Sequence, residues 1–120
     1  MDSTSAAQVL SFWFGRERKA WFEKNPAFDE DIRRRFSSLY ELAAAGKLED
    51  WKKTPAGCLA LVLVLDQLPR NMFRGSAKAF AADPAARSAA RVILDNGWDK
   101  AMTPDERMFA YLPLEHSESL

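Results

Sequence analysis

Cysteine is nearly absent from this 120-residue chain: Cys58 stands alone, so no internal disulfide can form and a hydrophobic core must hold the fold. Histidine is just as scarce, with His116 the single imidazole, and one imidazole among scattered acids lacks the ligand spacings of zinc or di-iron centres. The five glycines are isolated from one another, which excludes a dinucleotide fingerprint and a phosphate loop. A nucleophile elbow and paired cysteines are missing too. No metal and no cofactor is therefore expected. Excess charge is also lacking: 17 Lys and Arg balance 17 Asp and Glu, which leaves no electrostatic footprint for nucleic acid or for an acidic membrane surface. The opening segment MDSTSAAQVLSFWFG has neither a basic flank nor a long apolar stretch, so it reads as no secretory signal and no membrane span, and the default compartment is the cytoplasm.

What is present is a chain of single-domain length, residues 1–120, in which 48% of the side chains are hydrophobic. Four prolines directly follow a residue able to cap a helix: Asn25-Pro26, Thr54-Pro55, Asp83-Pro84 and Thr103-Pro104. A cap oxygen accepts from an orphan amide one turn in, and proline at the first helical position gives up an amide that lacks a partner anyway. Glu106, three residues after Thr103, completes a capping box. Behind Pro26, the residues Phe28, Ile32, Phe36, Leu39 and Ala43 form one apolar stripe, and Gly46 is a natural stop. Behind Pro84, Ala86, Ala90 and Ile93 share a face, with Asn96-Gly97 as terminator, and the small alanines invite a close helix neighbour.

The run CLALVLVL, Cys58 to Leu65, is short enough to be a buried strand or part of a buried helix. Thr54-Pro55 supplies a helix start and no second segment reads as a pairing strand, so the run is expected to be a helix in the middle of a bundle. The first helix is expected from about Ser5 to Phe14, stopping at Gly15. Its Phe12-Trp13-Phe14 spreads over about 200° of the wheel, so part of it must meet the following Trp21-Phe22 pair. Residues 76–82 read as a short turn or helix, and Met108 to Leu112 as the body of the last helix, which Pro113 bends or ends. The fold class is all-α, an antiparallel helix bundle.

Two polar strings could carry chemistry. Asp66-Gln67-Leu68-Pro69-Arg70-Asn71-Met72-Phe73-Arg74-Gly75 follows directly on the buried run, and Arg70 and Arg74 could both reach one carboxylate or phosphate. The structural alternative pairs Asp66 with Arg70, sets Asn71 on loose helix-end carbonyls and leaves Arg74 in solvent, and the spacing favours it. The second string, Glu115-His116-Ser117-Glu118, sets an imidazole beside carboxylates, a pairing suited to proton transfer and equally common as surface decoration. Cys58 in an apolar run is core filler. Arg33-Arg34-Arg35, spread round its helix and offset by Asp29, Glu30, Asp31 and Glu41, reads as a solvated face. The tryptophans are core residues first.

Phe12-Trp13-Phe14, Trp21-Phe22, Phe28-Asp29, Trp51, the string Leu65 to Gly75, Ala77, Phe80, Asp83 and Tyr111 to Glu118 together resemble the bacterial family known as domain of unknown function 924. The Asp-Gln-x-Pro-Arg-Asn and His-Ser-Glu strings are the specific parts. The resemblance implies helix pairs of the tetratricopeptide type and no established activity, substrate or cofactor. It also implies a longer chain, continuing past His-Ser-Glu to a second arginine-asparagine motif, whereas this sequence stops at Leu120. Apolar surface meant for further helices would then invite self-association.

Two functions follow as expectations. The first is a binding or interaction module that holds a protein or peptide in a groove between helices. The second is a small-anion site, enzymatic in one form, with Arg70 and Arg74 as anchor, Asn71 and Gln67 orienting the ligand, and His116 with Glu118 or Asp66 moving a proton.

Overall fold

The proline-marked starts are where the helices begin. In the computed structural model, which describes residues 5–116 and the last of these through its backbone alone, Asn25 accepts from the Phe28 amide and Thr54 from the Gly57 amide. Thr103 and Glu106 exchange both bonds of a capping box, at 3.2 and 2.9 Å. These starts open α2 (Pro26–Ala44), α3 (Pro55–Val62) and α6 (Pro104–His116). A further capping box, Ser5 with Gln8, opens α1 (Ala6–Phe14), and Gly15 closes it.

Asp83 departs from the pattern. It is the first residue of α5 (Asp83–Asp95), the cap position falls to Ala82, and no side chain caps this helix. The Asp83 carboxylate is instead engaged by Arg70.

The ambiguous run is helical. From Gly57 through Asp66 every residue is buried, and the helix is flanked by α1, α5, α6 and, through the segment that continues it, α2. Its geometry changes midway: Leu63–Gln67 is a π turn, with the Leu68 amide bonded to the Leu63 carbonyl five residues back, before α4 (Leu68–Met72) resumes the α pitch. Pro69 explains the widening. Its ring would collide with the carbonyl four residues earlier in a regular helix, and one extra residue in the turn relieves the clash.

Around this rod, Ala86, Ala89, Ala90 and Ile93 of α5 are fully buried, and the Cys58 thiol donates to the Ala89 carbonyl at 3.2 Å. Alanines let the two backbones approach closely enough for that bond. Burial pushes the Cys58 thiol up to about 11, so it stays neutral and inert. Gly57 is required by the same tightness, because a Cβ there would collide with the Trp51 carbonyl and the Thr54 hydroxyl.

The aromatic crowd at the end of α1 divides as its angular spread demands. Trp13 stacks on Trp21, the last residue of the 3-10 turn Arg18–Trp21, and also on Phe28, while Phe12 packs onto Phe28 and Phe36 of α2. Residues 77–80 form another 3-10 turn. Gly46 and Gly97 follow α2 and α5 at φ of 77° and 68°, left-handed values that a side chain would strain. Pro113, by contrast, does not end its helix: α6 runs on to His116 with the proline buried inside it. Proline costs one backbone bond, and packing of α6 against α3 and α5 keeps the helix in place.

No strand occurs among the described residues, so the fold is all-α. No helix among them is long and apolar enough to cross a membrane.

Candidate functional site

The polar string after the buried run is split by the structure into two clusters. The first is built on the π turn. Asp66 is fully buried, Gln67 Nε2 donates to its Oδ2 at 2.8 Å, and Arg70 Nη1 donates to its Oδ1 at 3.2 Å and to its backbone carbonyl at 2.6 Å. A π turn disturbs the ladder of backbone bonds, and here a guanidinium one turn later takes up the Asp66 carbonyl. The same guanidinium grips Asp83 with two bonds, at 3.1 and 3.2 Å, and lies 5.0 Å above the exposed Phe80 ring. Arg70 thus ties the π turn to the start of α5 and faces two carboxylates.

The second cluster is centred on Asp29, in the first turn of α2 and only 6% exposed. Asn71 Nδ2 donates to Oδ1 at 2.9 Å, Arg74 Nε donates to Oδ2 at 2.8 Å, and Arg74 Nη2 to Oδ1 at 3.1 Å. Burial would push the Asp29 carboxyl up. The Arg74 and Asn71 hydrogen bonds, with the charges of Arg74 and Arg33, outweigh that and hold it below the usual carboxylate range. Arg33 fastens the same corner by donating to the Met72 carbonyl at 2.9 Å while pairing with Glu30.

Asp66 and Arg70 pair as the structural alternative expects. Asn71 does not cap helix-end carbonyls and Arg74 is not left in solvent: both reach back over forty residues to Asp29. Spacing could not reveal that partner, although a carboxylate in the first turn of the best-patterned helix was the available signal. Asp83 does not cap α5 for a related reason, since the nearby Arg70 guanidinium competes with the backbone amides for its carboxylate.

His116 is the last residue of α6 and is described by its backbone alone, and Glu118 lies outside the described residues, so neither is placed relative to Arg70. No group of three or more His, Cys, Asp or Glu side chains is arranged to hold a metal among the described residues.

Two concavities lie elsewhere. One, of about 310 Å³, is a mainly apolar groove where Leu10, Pro55, Ala56 and Leu59 meet Trp98, Ala101 and Met102, with Glu106 also in its lining. The other, of about 450 Å³, lies between α1 and α2 and is lined by Gln8, Ser11, Phe12, Arg35 and Phe36.

A search of curated proteins finds no match. A solved structure, that of a protein of unknown function from Agrobacterium tumefaciens, superposes with a TM-score of 0.89 at 41% identity over 92% of this chain. The chain spans 63% of that protein's length. The family model described as "Bacterial protein of unknown function (DUF924)" matches residues 9–120, which include both polar strings, and the chain belongs to that family.

Proposed function

We propose that this domain is a binding module whose apolar groove takes a peptide segment bearing an apolar side chain next to a lysine or arginine. The observation that carries the reading is the groove itself. Its walls come from α1, α3, the Gly97–Met102 stretch and α6, so rigid elements frame it, and a half-buried Trp98 lies among aliphatic side chains. Glu106 sets the expected charge of the occupant. One of its oxygens is held by the Thr103 amide, and the carboxylate remains partly exposed beside the apolar wall. An apolar anchor followed by a cation matches that pair of features.

The alternative, an anion site or enzyme anchored on Arg70 and Arg74, has less support. Each guanidinium already binds carboxylate, and an incoming anion would have to displace Asp83 or Asp29 at the cost of the existing bonds.

Selection of displayed peptides on the intact chain tests the reading. The expected outcome is a consensus with an apolar residue within a few positions of Lys or Arg. Ala101→Glu, on an exposed position, should abolish binding, and Glu106→Gln, which preserves the capping box, should weaken it about three- to tenfold. No consensus, or peptides indifferent to Ala101→Glu, would remove the proposal.

A further inference from the structure

Arg33-Arg34-Arg35 reads in the sequence as an offset, solvated run, but folding does not balance it evenly. Glu30 takes Arg33. Asp31 alone serves the rest: Arg34 Nη2 donates to Oδ1 at 2.6 Å, Arg35 Nε to the same oxygen at 3.0 Å, and Arg16 Nη2 lies 3.6 Å from Oδ2. Three guanidiniums thus share one carboxylate, two positive charges in excess, in a chain whose formal net charge is zero. Among the described residues no other carboxylate pairs with Arg16, Arg34 or Arg35.

This patch borders the 450 Å³ cleft between α1 and α2. Arg35 lines the cleft, and both it and Arg16 lie over the Phe12 ring that forms part of its wall, at 5.4 and 4.7 Å from the ring centre. The polar groups of the lining are donors with capacity to spare. Arg35 spends Nε on Asp31, and its two terminal nitrogens make no hydrogen bond among the described residues. Gln8 spends its oxygen on the Ser5 amide in the capping box, and its NH2 has no partner among the described residues. The Ser11 hydroxyl has no partner among the described residues either, and among those residues no carboxylate lines the cleft. Phe12 and Phe36, edge to face at 5.0 Å, supply the apolar remainder.

We propose that this cleft binds a small phosphomonoester attached to an aromatic ring, the dianion held by Arg35, Gln8 and Ser11 and the ring lying against Phe12 and Phe36. A guanidinium fork with free terminal nitrogens suits phosphate oxygens, and the surplus of two charges matches a dianion. The cleft is larger than a bare phosphate needs, and its ring-lined wall specifies the body of the ligand.

Titration calorimetry with phenyl phosphate, inorganic phosphate and phenol, together with amide shift mapping, tests this. Phenyl phosphate should bind saturably, more tightly than either fragment, with shifts centred on Gln8, Ser11 and Arg35. Binding should strengthen as the ester loses its second proton near about pH 6. Arg35 is 57% exposed, so Arg35→Gln should stay folded and weaken binding tenfold or more. Arg35→Lys, keeping the charge without the fork, should fall between, and Arg91→Gln, an equal loss of charge on the exposed face of α5, should change nothing. Phenol binding as tightly as phenyl phosphate, equal losses in Arg35→Gln and Arg91→Gln, or shifts confined to other elements would overturn the assignment.

Discussion

Asp29 and Asp31 stand two residues apart on α2, about 200° round the helix, and the same side chain does opposite work at the two positions. Asp29 faces inward, with 8% of its side chain exposed, and is matched by one guanidinium and one amide. Asp31 keeps 20% of its side chain exposed and is outnumbered three to one by arginines. Burial is the difference. A buried charge must be compensated closely or it destabilises the fold, whereas water and salt screen an imbalance at the surface and so allow it. The inward carboxylate therefore acts as a fastener between α2 and the end of α4, and the outward one leaves positive charge unmatched at the surface.

The comparison breaks most visibly at Asp29. Asp29→Ala strands Asn71 and Arg74 and should cost about 2 kcal/mol in urea unfolding, below the usual figure for a severed buried pair because Arg74 is 39% exposed. A loss no larger than that of a surface substitution would show that Asp29 fastens nothing. Acid titration sharpens the point. The Asp29 carboxyl in the folded chain lies below its ordinary value of 3.8, so the unfolded chain takes up the proton first as pH falls. Its stabilisation is complete above that ordinary value and is lost as pH drops through the lower, folded one. Asp29→Asn should therefore lower stability at neutral pH and flatten the decline of stability below 3.8; an unchanged acid limb would contradict this. The smallest effect is expected at the outward position, where Asp31→Ala should shift stability by no more than about 1 kcal/mol, since screened surface pairs contribute little. A loss there as large as at Asp29 would erase the distinction between the two faces.

Much of this was legible in the sequence because it depends on neighbours within one turn. Asn25, Thr54 and Thr103 cap as their proline-marked positions predict, since a cap needs only an amide two or three residues away. The pairing of Asp66 with Arg70 is of the same kind, four residues apart on one helical segment. Asp83 shows the limit: its local prospects were those of a cap, and a guanidinium thirteen residues earlier in the chain claimed it. The π turn is intermediate, for Pro69 announces a disturbance without saying whether the helix will end or widen. Pro113 poses the same choice and also resolves as continuation, in a helix that packs against α3 and α5.

By itself, then, the sequence determined an all-helical chain, its main starts and stops, and the burial of the Cys58–Leu65 rod, all of which follow from backbone chemistry and apolar patterning at short range. Tertiary structure alone decided which carboxylate meets which arginine, and hence that Arg74 is bound while Arg35 keeps donors to spare. Charge partners are chosen by proximity in space and by exclusion of water, and neither is written in the spacing of residues along the chain.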